Sequence, residues 1–333
     1  MTRVSVGDAS LTQLLARQGA QLRAGVNQAA AEVASGRSTD IGQALRGDYA
    51  PLLAVDASLA RLKAYARNTA EAGLYAASQQ SVIGGLSSLA TDLGSSLLRS
   101  SSLVTSPQVD VYGGDARGRL ASAVSLLNTQ PAGRAVFSGV ATDILPLGAA
   151  EDMLDALETA AAGATTAGQV ASAVANWFSS ATGYGAFYQG ADSLTPPPIA
   201  PGETADLSVT ANDPVVKETL MGFALGALLD RGVLTGAPEE RAELAQRSAE
   251  TLQRSQDARI NLAARIGTVE AQVEAAATRN AAEEMALGIV RSQTGSVDPY
   301  QAATRLEELK SQLESLYLIT ARVSRLSLVD FLR

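Results

Sequence analysis

Leu306, Leu309, Leu313, Leu316 and Val323 recur at steps of three and four residues, the spacing that lays apolar side chains along one stripe of a helix built to pack on another. Thr320 is the one polar residue among these seam positions, and the pattern runs on through Ser324 to Arg333 (SRLSLVDFLR). Chain ends usually fray, so an apolar stripe carried this far predicts a partner for it. The first forty residues supply a matching stripe in Leu11, Leu15, Leu22, Val26, Ala29 and Val33. The expectation is a mainly α protein: long N- and C-terminal helices packed as an antiparallel coiled-coil rod, each needing the other or a neighbouring subunit.

Composition narrows what such a chain can do. Of its 333 residues 46% are hydrophobic but only 4% aromatic, which favours slender helix-on-helix packing over a thick globular interior. There is no His and no Cys. His-based general base catalysis, Ser-His-Asp and Cys-His triads, His/Cys zinc sites and disulfides are therefore excluded, and neither metal nor cofactor is expected. Glu151, Asp155 and Glu158 lie at helical spacing and read as a solvated face, not as paired catalytic carboxylates. Gly113-Gly114-Asp115 lacks the Lys and the spacing of a phosphate loop and reads as a turn that starts a helix. A net charge of -8 without a Lys/Arg cluster argues against nucleic acid.

No membrane insertion is expected. The longest apolar run, Leu220 to Leu229, is bounded by Lys217, Glu218, Asp230 and Arg231 and is about half of the ~20 residues a span needs. The segment MTRVSVGDASLTQ has no continuous apolar stretch of the kind found in a cleaved secretory signal, so none is expected.

Along the chain, Asp8 is placed to cap a first helix that ends near Ser35-Gly36. A long helix is predicted from about Tyr49 to Leu103, with Gly84-Gly85 and Gly94 as places for a bend and Pro107 beyond its end. A third helix is predicted from Ala116 to Thr129. Between Ala135 and Thr210 the heptad spacing stops and Gly and Pro rise. Helices are predicted there at Asp152 to Ala160 and Val170 to Ser179, with strands at Phe187 to Gln189 and Leu207 to Val209. Trp177, Phe178, Tyr184, Phe187 and Tyr188 form the expected core of this insert. Helix resumes at Asp213-Pro214, continues from near Pro238 toward Val290, and begins a last time at Asp298-Pro299. The predicted organisation is an N-terminal assembly helix (1–40), the N-terminal half of a helical rod (41–134), a mixed α/β insert carried as an outgrowth (135–211), the C-terminal half of the rod (212–296) and a C-terminal assembly helix (297–333).

Particular segments add a family resemblance. Ala321 to Leu332 (ARVSRLSLVDFL) resembles the flagellin C-terminus, with Ser327, Leu328, Phe331 and Leu332 matching its ending. Ala264 to Glu274 (ARIGTVEAQVE) is similar to the Arg-Ile-Gly segment before a coiled-coil helix in the flagellin superfamily. Gly133 to Leu147 (GRAVFSGVATDILPL) resembles the Phe-Ser-Gly motif of that superfamily's hook-filament junction family, with Leu147 in place of the usual aromatic. Tyr188 to Asp192 and Ala211 to Pro214 are similar to the same family's middle region.

The resemblance implies a secreted, nonenzymatic structural protein of the bacterial flagellum, located outside the cell at the hook-filament junction. Its implied partners are the preceding hook-associated junction protein, flagellin, neighbouring copies of itself and an export chaperone at the C-terminal helix, with type III export. The assembly interface expected from the two stripes comprises Leu11, Leu15, Leu22, Val26 and Val33 with Leu306, Leu309, Leu313, Leu316, Val323, Leu326, Leu328, Phe331 and Leu332. A flagellin that builds the filament itself is the close alternative, and an intracellular helical adaptor or binding module the distant one.

Overall fold

The computed structural model describes residues 6–40, 42, 45, 47–101 and 106–331. In chain order the elements are α1 (Val6–Ser35), α2 (Ala50–Ser101), α3 (Ser106–Leu127), α4 (Ala150–Ala160), α5 (Ala167–Ser179), α6 (Tyr184–Phe187), β1 (Pro198–Ala200), β2 (Glu203–Thr204), α7 (Pro214–Asp230), α8 (Pro238–Arg254), α9 (Gln256–Thr294) and α10 (Pro299–Phe331). The protein is mainly α, as the sequence predicts. It divides into two compact units, Met1–Arg61 with Ala282–Arg333, and Leu62–Ala281.

The first unit is built on α1 and α10, which pack along one another. Gly19 lies against Leu316 and Gly25 against Leu309, so sequence numbers rise on one helix as they fall on the other and the pair is antiparallel. Gly36, at φ +65°, ends α1 in the left-handed conformation that suits glycine, and its N–H returns to Glu32 O at 2.9 Å. The register is pinned just beyond: Ser38 N–H donates to Gly295 O (2.9 Å) and Val297 N–H to Gly36 O (3.1 Å). Asp298 starts α10 by accepting from Tyr300 N–H at 2.8 Å.

The second unit is organised around α7. Its Leu220, Phe223, Ala224, Leu225, Leu228 and Leu229 are all buried, and a helix apolar on every side must be a central one. Asp213 caps it, accepting from Val215 N–H at 2.8 Å, with Pro214 in the first turn. Glycines bring its neighbours close. A Cβ on Gly222 would lie 2.5 Å from Leu252 Cδ2, and one on Gly226 2.8 Å from Ala116 Cβ. Ser248 Oγ, buried in that contact, donates to Gly222 O at 2.7 Å.

Several expectations change in this unit. Gly113 does not start a turn: it lies inside α3, where a Cβ would come within 2.7 Å of Asp230 N, so it permits a close helix crossing. Helix α3 begins at Ser106, earlier than expected, with Pro107 in its first turn where a missing N–H costs nothing. Helix α2 runs through its glycines, one of which, Gly85, accommodates Leu126. The single helix expected from Pro238 is two, α8 and α9, divided at Ser255.

The segment 135–211 is not an outgrowth. Met153, Leu154, Val170, Val174, Phe178 and Tyr184 belong to one continuous apolar core with Val216 and Leu220 of α7. The aromatic cluster has edge and stacked geometry, with Trp177 and Phe178 rings 5.1 Å apart and Phe178 and Tyr184 rings 5.2 Å apart. Neither predicted strand forms. Phe187 ends α6, and around Leu207 to Val209 the backbone is satisfied by side chains: Asp206 Oδ1 accepts from Ser208 N–H and Gln79 donates to Val209 O. Among the described residues the extended pairing within this segment is the short β1–β2 hairpin and a bridge between Leu147 and Tyr188. Asn68 and Asn280 fasten the hairpin by donating to Pro198 O (2.8 Å) and Ile199 O (2.7 Å).

Candidate assembly interface

The seam of α1 and α10 is only partly closed. Leu316 and Ala29 are buried, while Leu15, Leu22, Val26, Leu306, Leu309, Leu313 and Val323 are half-buried and Leu11 and Val33 are exposed. Leu326, Leu328 and Phe331 lie on the α10 backbone, but their side chains, like the whole of Leu332, fall outside what is described. A stripe at steps of three and four has the width one partner helix can close, yet along α10 Leu306, Leu309, Leu313 and Val323 stay only half-buried against α1.

Further apolar side chains stand off the seam altogether. On α10, Leu318 is 66% exposed and Tyr317 and Ile319 are each 51% exposed; on α1, Leu14 is 59% exposed. The stripe reading misses these because it follows one face. Their signal is local: Leu316 to Ile319 is an unbroken apolar run, which no single face of a helix can absorb. Glu32, buried at the other end of the pair, uses Oε1 to accept from Gln28 Nε2 (3.3 Å) and Thr39 N–H (3.1 Å), tying the segment after α1 to the helix.

The Phe-Ser-Gly motif in the second unit is structural. Phe137 fills the core, and Ser138 Oγ donates to Ile144 O at 2.6 Å. Gly139 has φ +62°, and a Cβ there would sit 2.1 Å from Asp192 O. That close approach lets Val140 N–H donate to Asp192 O (2.9 Å) and Ala191 N–H to Ser138 O (2.9 Å), which joins the motif to the Tyr188 to Asp192 segment. Tyr184 hydroxyl donates to Ala211 O at 2.6 Å, and burial pushes its pKa well up, so it stays a neutral donor. Tyr75, donating to Ala135 O, is pushed up by burial to about 12.

The acidic face of α4 is engaged. Arg231 reaches Glu151 (2.7 Å), Asp155 (2.9 Å) and Glu158 (3.5 Å), and Arg117 joins Glu151 (2.8 Å) to Asp230 (3.0 Å). The Arg117 hydrogen bond holds the Glu151 carboxyl below the usual carboxylate range. Among the described residues no group of three or more Asp or Glu is disposed to hold a metal ion, and no helix is long and apolar enough to cross a membrane.

Residues 256–332 match the bacterial flagellin C-terminal helical region. Both C-terminal segments read as flagellin-like, up to Leu332, fall within that match. The fold is similar to that of Bacillus cereus FlgL, at 14% identity and a TM-score of 0.51 over 72% of this chain and 100% of that one. It is also similar to a putative flagellar hook-associated protein from Vibrio parahaemolyticus, at 15% identity and a TM-score of 0.50 over 75% of this chain and 99% of that one. A sequence search of curated proteins gave no match.

Proposed function

We propose that this protein is a nonenzymatic structural subunit of the bacterial flagellum that joins hook-side proteins to the flagellin filament through its terminal helices. The observation that carries the reading is the incompletely covered seam of α1 and α10, with Leu14, Tyr317, Leu318 and Ile319 exposed beside it, and α10 falls within the residues that match the flagellin C-terminal helical region. A surface of this kind is stable in water once neighbouring helices cover it. Contact between non-identical patches leaves one patch unused at the growing end, so each subunit presents a site for the next.

In this reading the seam residues from Leu11 to Val33 and from Leu306 to Leu332 form the assembly interface. The preceding hook-associated junction protein lies on one side, flagellin on the other and further copies of the chain alongside. A chaperone covers the C-terminal helix before export, when the apolar stripe would otherwise associate prematurely. The protein then resides outside the cell at the hook-filament junction. Labelled antibody and electron microscopy test this directly: the label is expected as one band at the base of the filament, with the protein a minor constituent of isolated flagella. Label along the whole filament would make it a flagellin, and absence from flagella would overturn the reading.

A further inference from the structure

Two arginines are buried in the second unit, and they are treated differently. Arg241 is matched: its guanidinium donates to Val233 O and Leu229 O, both at 2.9 Å, and pairs with Asp110. Arg259, only 3% exposed, is not. Its Nη1 donates to Ser255 Oγ, its Nε has no hydrogen-bond partner, and it makes no ion pair with any carboxylate among the described residues. The Glu218 carboxylate acts on it through space without a direct ion pair, and burying a guanidinium without a directly bonded carboxylate is costly.

Arg259 lines a cavity of about 150 Å³ between α2 and the junction of α8 with α9. Ala90 and Gly94 keep its α2 wall low. A Cβ on Gly94 would meet Leu252 Cβ at 3.7 Å and Ala249 O at 3.8 Å, ordinary contact distances, so helix packing does not demand glycine there; what glycine provides is room. The amide side chains of Gln253 and Gln256 stand at the rim, exposed, and Leu98 beside them is 41% exposed. A guanidinium with unused donors matches the two oxygens of a carboxylate, and flanking amides add neutral donors. The volume corresponds to about five water molecules, enough for a carboxylate on a short aliphatic stem and too little for a nucleotide or a sugar.

We propose that this cavity is a carboxylate socket that receives an Asp or Glu side chain from a neighbouring polypeptide. The socket itself rests on the geometry of the second unit; that its occupant is an adjoining axial subunit rests on the function proposed above. A directly bonded carboxylate is thereby supplied on assembly, and contact at this position selects partners that bring an acidic residue.

The test uses the full-length protein with sodium acetate as the probe and sodium chloride at equal ionic strength as the reference. Acetate is expected to raise the melting temperature along a saturable curve and to move the Arg259 Nε–H resonance in ¹⁵N-arginine-labelled protein. Arg259→Met should lose both responses completely while melting in chloride no lower than wild type, since it removes an unpaired buried charge. An unresponsive wild type, or a Met variant that melts far below wild type in chloride, would overturn the socket; the wild-type titration decides even if the variant does not fold. Placement of the occupant is read separately. Arg259→Met should incorporate into flagella several-fold less than wild type, and incorporation at the wild-type level would show that the socket serves a free small carboxylate. Acetate binding does not depend on the flagellar reading, so the two can fail independently.

Discussion

Leu316 and Leu318 are two residues apart on α10, and their surroundings separate folding of the helix pair from assembly. Leu316 is 7% exposed and lies on Gly19 of α1; Leu318 is 66% exposed and touches little. Truncating a buried leucine to alanine costs about 2–5 kcal/mol, through lost transfer energy and the cavity left behind. Leu316→Ala should therefore lower the melting temperature of the isolated protein. Leu318→Ala should not, because its side chain is already largely in water. On assembly the order changes. Covering the exposed two-thirds of a leucine is worth about 1–2 kcal/mol, so its loss should weaken each subunit contact roughly tenfold. Leu318→Asp should be more severe, since it also buries an unpaired carboxylate. The assay is thermal melting of monomer alongside incorporation into flagella of a strain lacking the native copy. Wild-type incorporation of Leu318→Asp, or equal destabilisation of the monomer by Leu316→Ala and Leu318→Ala, would refute the division.

Leu313, half-buried in the pair, should behave between these cases, with Leu313→Asp blocking assembly while the second unit still melts as in wild type. Gly226→Val should cost about 1–3 kcal/mol by overpacking, read as a lower urea midpoint, because even a Cβ at 226 would meet Ala116 Cβ at 2.8 Å. Deleting residues 147–210 should abolish cooperative unfolding of the second unit, because its core loses Leu154, Val174 and Tyr184 from beside α7; a sharp melt in the deletion would restore the view of that segment as an appendage. Glu151 contributes stability that is present above the ordinary carboxylate pKa and lost as pH falls through its lowered folded value. Glu151→Gln should remove that acid-side dependence. The side chain is 48% exposed, so the effect should stay within about 1 kcal/mol and shrink in high salt, as paired melts from neutral to acid pH would show.

The helices were legible where a single residue carries their chemistry. Asp213-Pro214 and Asp298-Pro299 both mark starts, and in each the aspartate accepts the expected N–H. Gly36 marks an end by its positive φ. What could not be read was which distant surface a residue meets. Gly113 looks like a turn until Asp230 is brought against it, and Gly222 and Gly226 look like weak points of a helix until Leu252 and Ala116 occupy the space they leave. Leu207 to Val209 has strand composition, but strand needs a partner backbone, and Gln79 and Asp206 offer side-chain groups instead. The interface divides the same way. Seam spacing identifies residues that pair α1 with α10, whereas exposure at Leu14 and Leu318 depends on how wide one helix's cover is. Arg259 gave no signal at all, because an arginine in a helix is ordinary until its surroundings are known.

Gly19 and Gly25 set α1 close against Leu316 and Leu309, and they also make α1 a poor helix by itself, since each glycine disfavours helix by about 1 kcal/mol relative to alanine. The contacts that offset this come from Leu316 and Leu309, far along the chain, so they cannot form before α10 exists. During synthesis α1 therefore has no α10 surface on which to form until α10 has been made. The pairing thereby orders events along the chain: the close packing that Gly19 and Gly25 permit on α1 waits for Leu316 and Leu309 of α10.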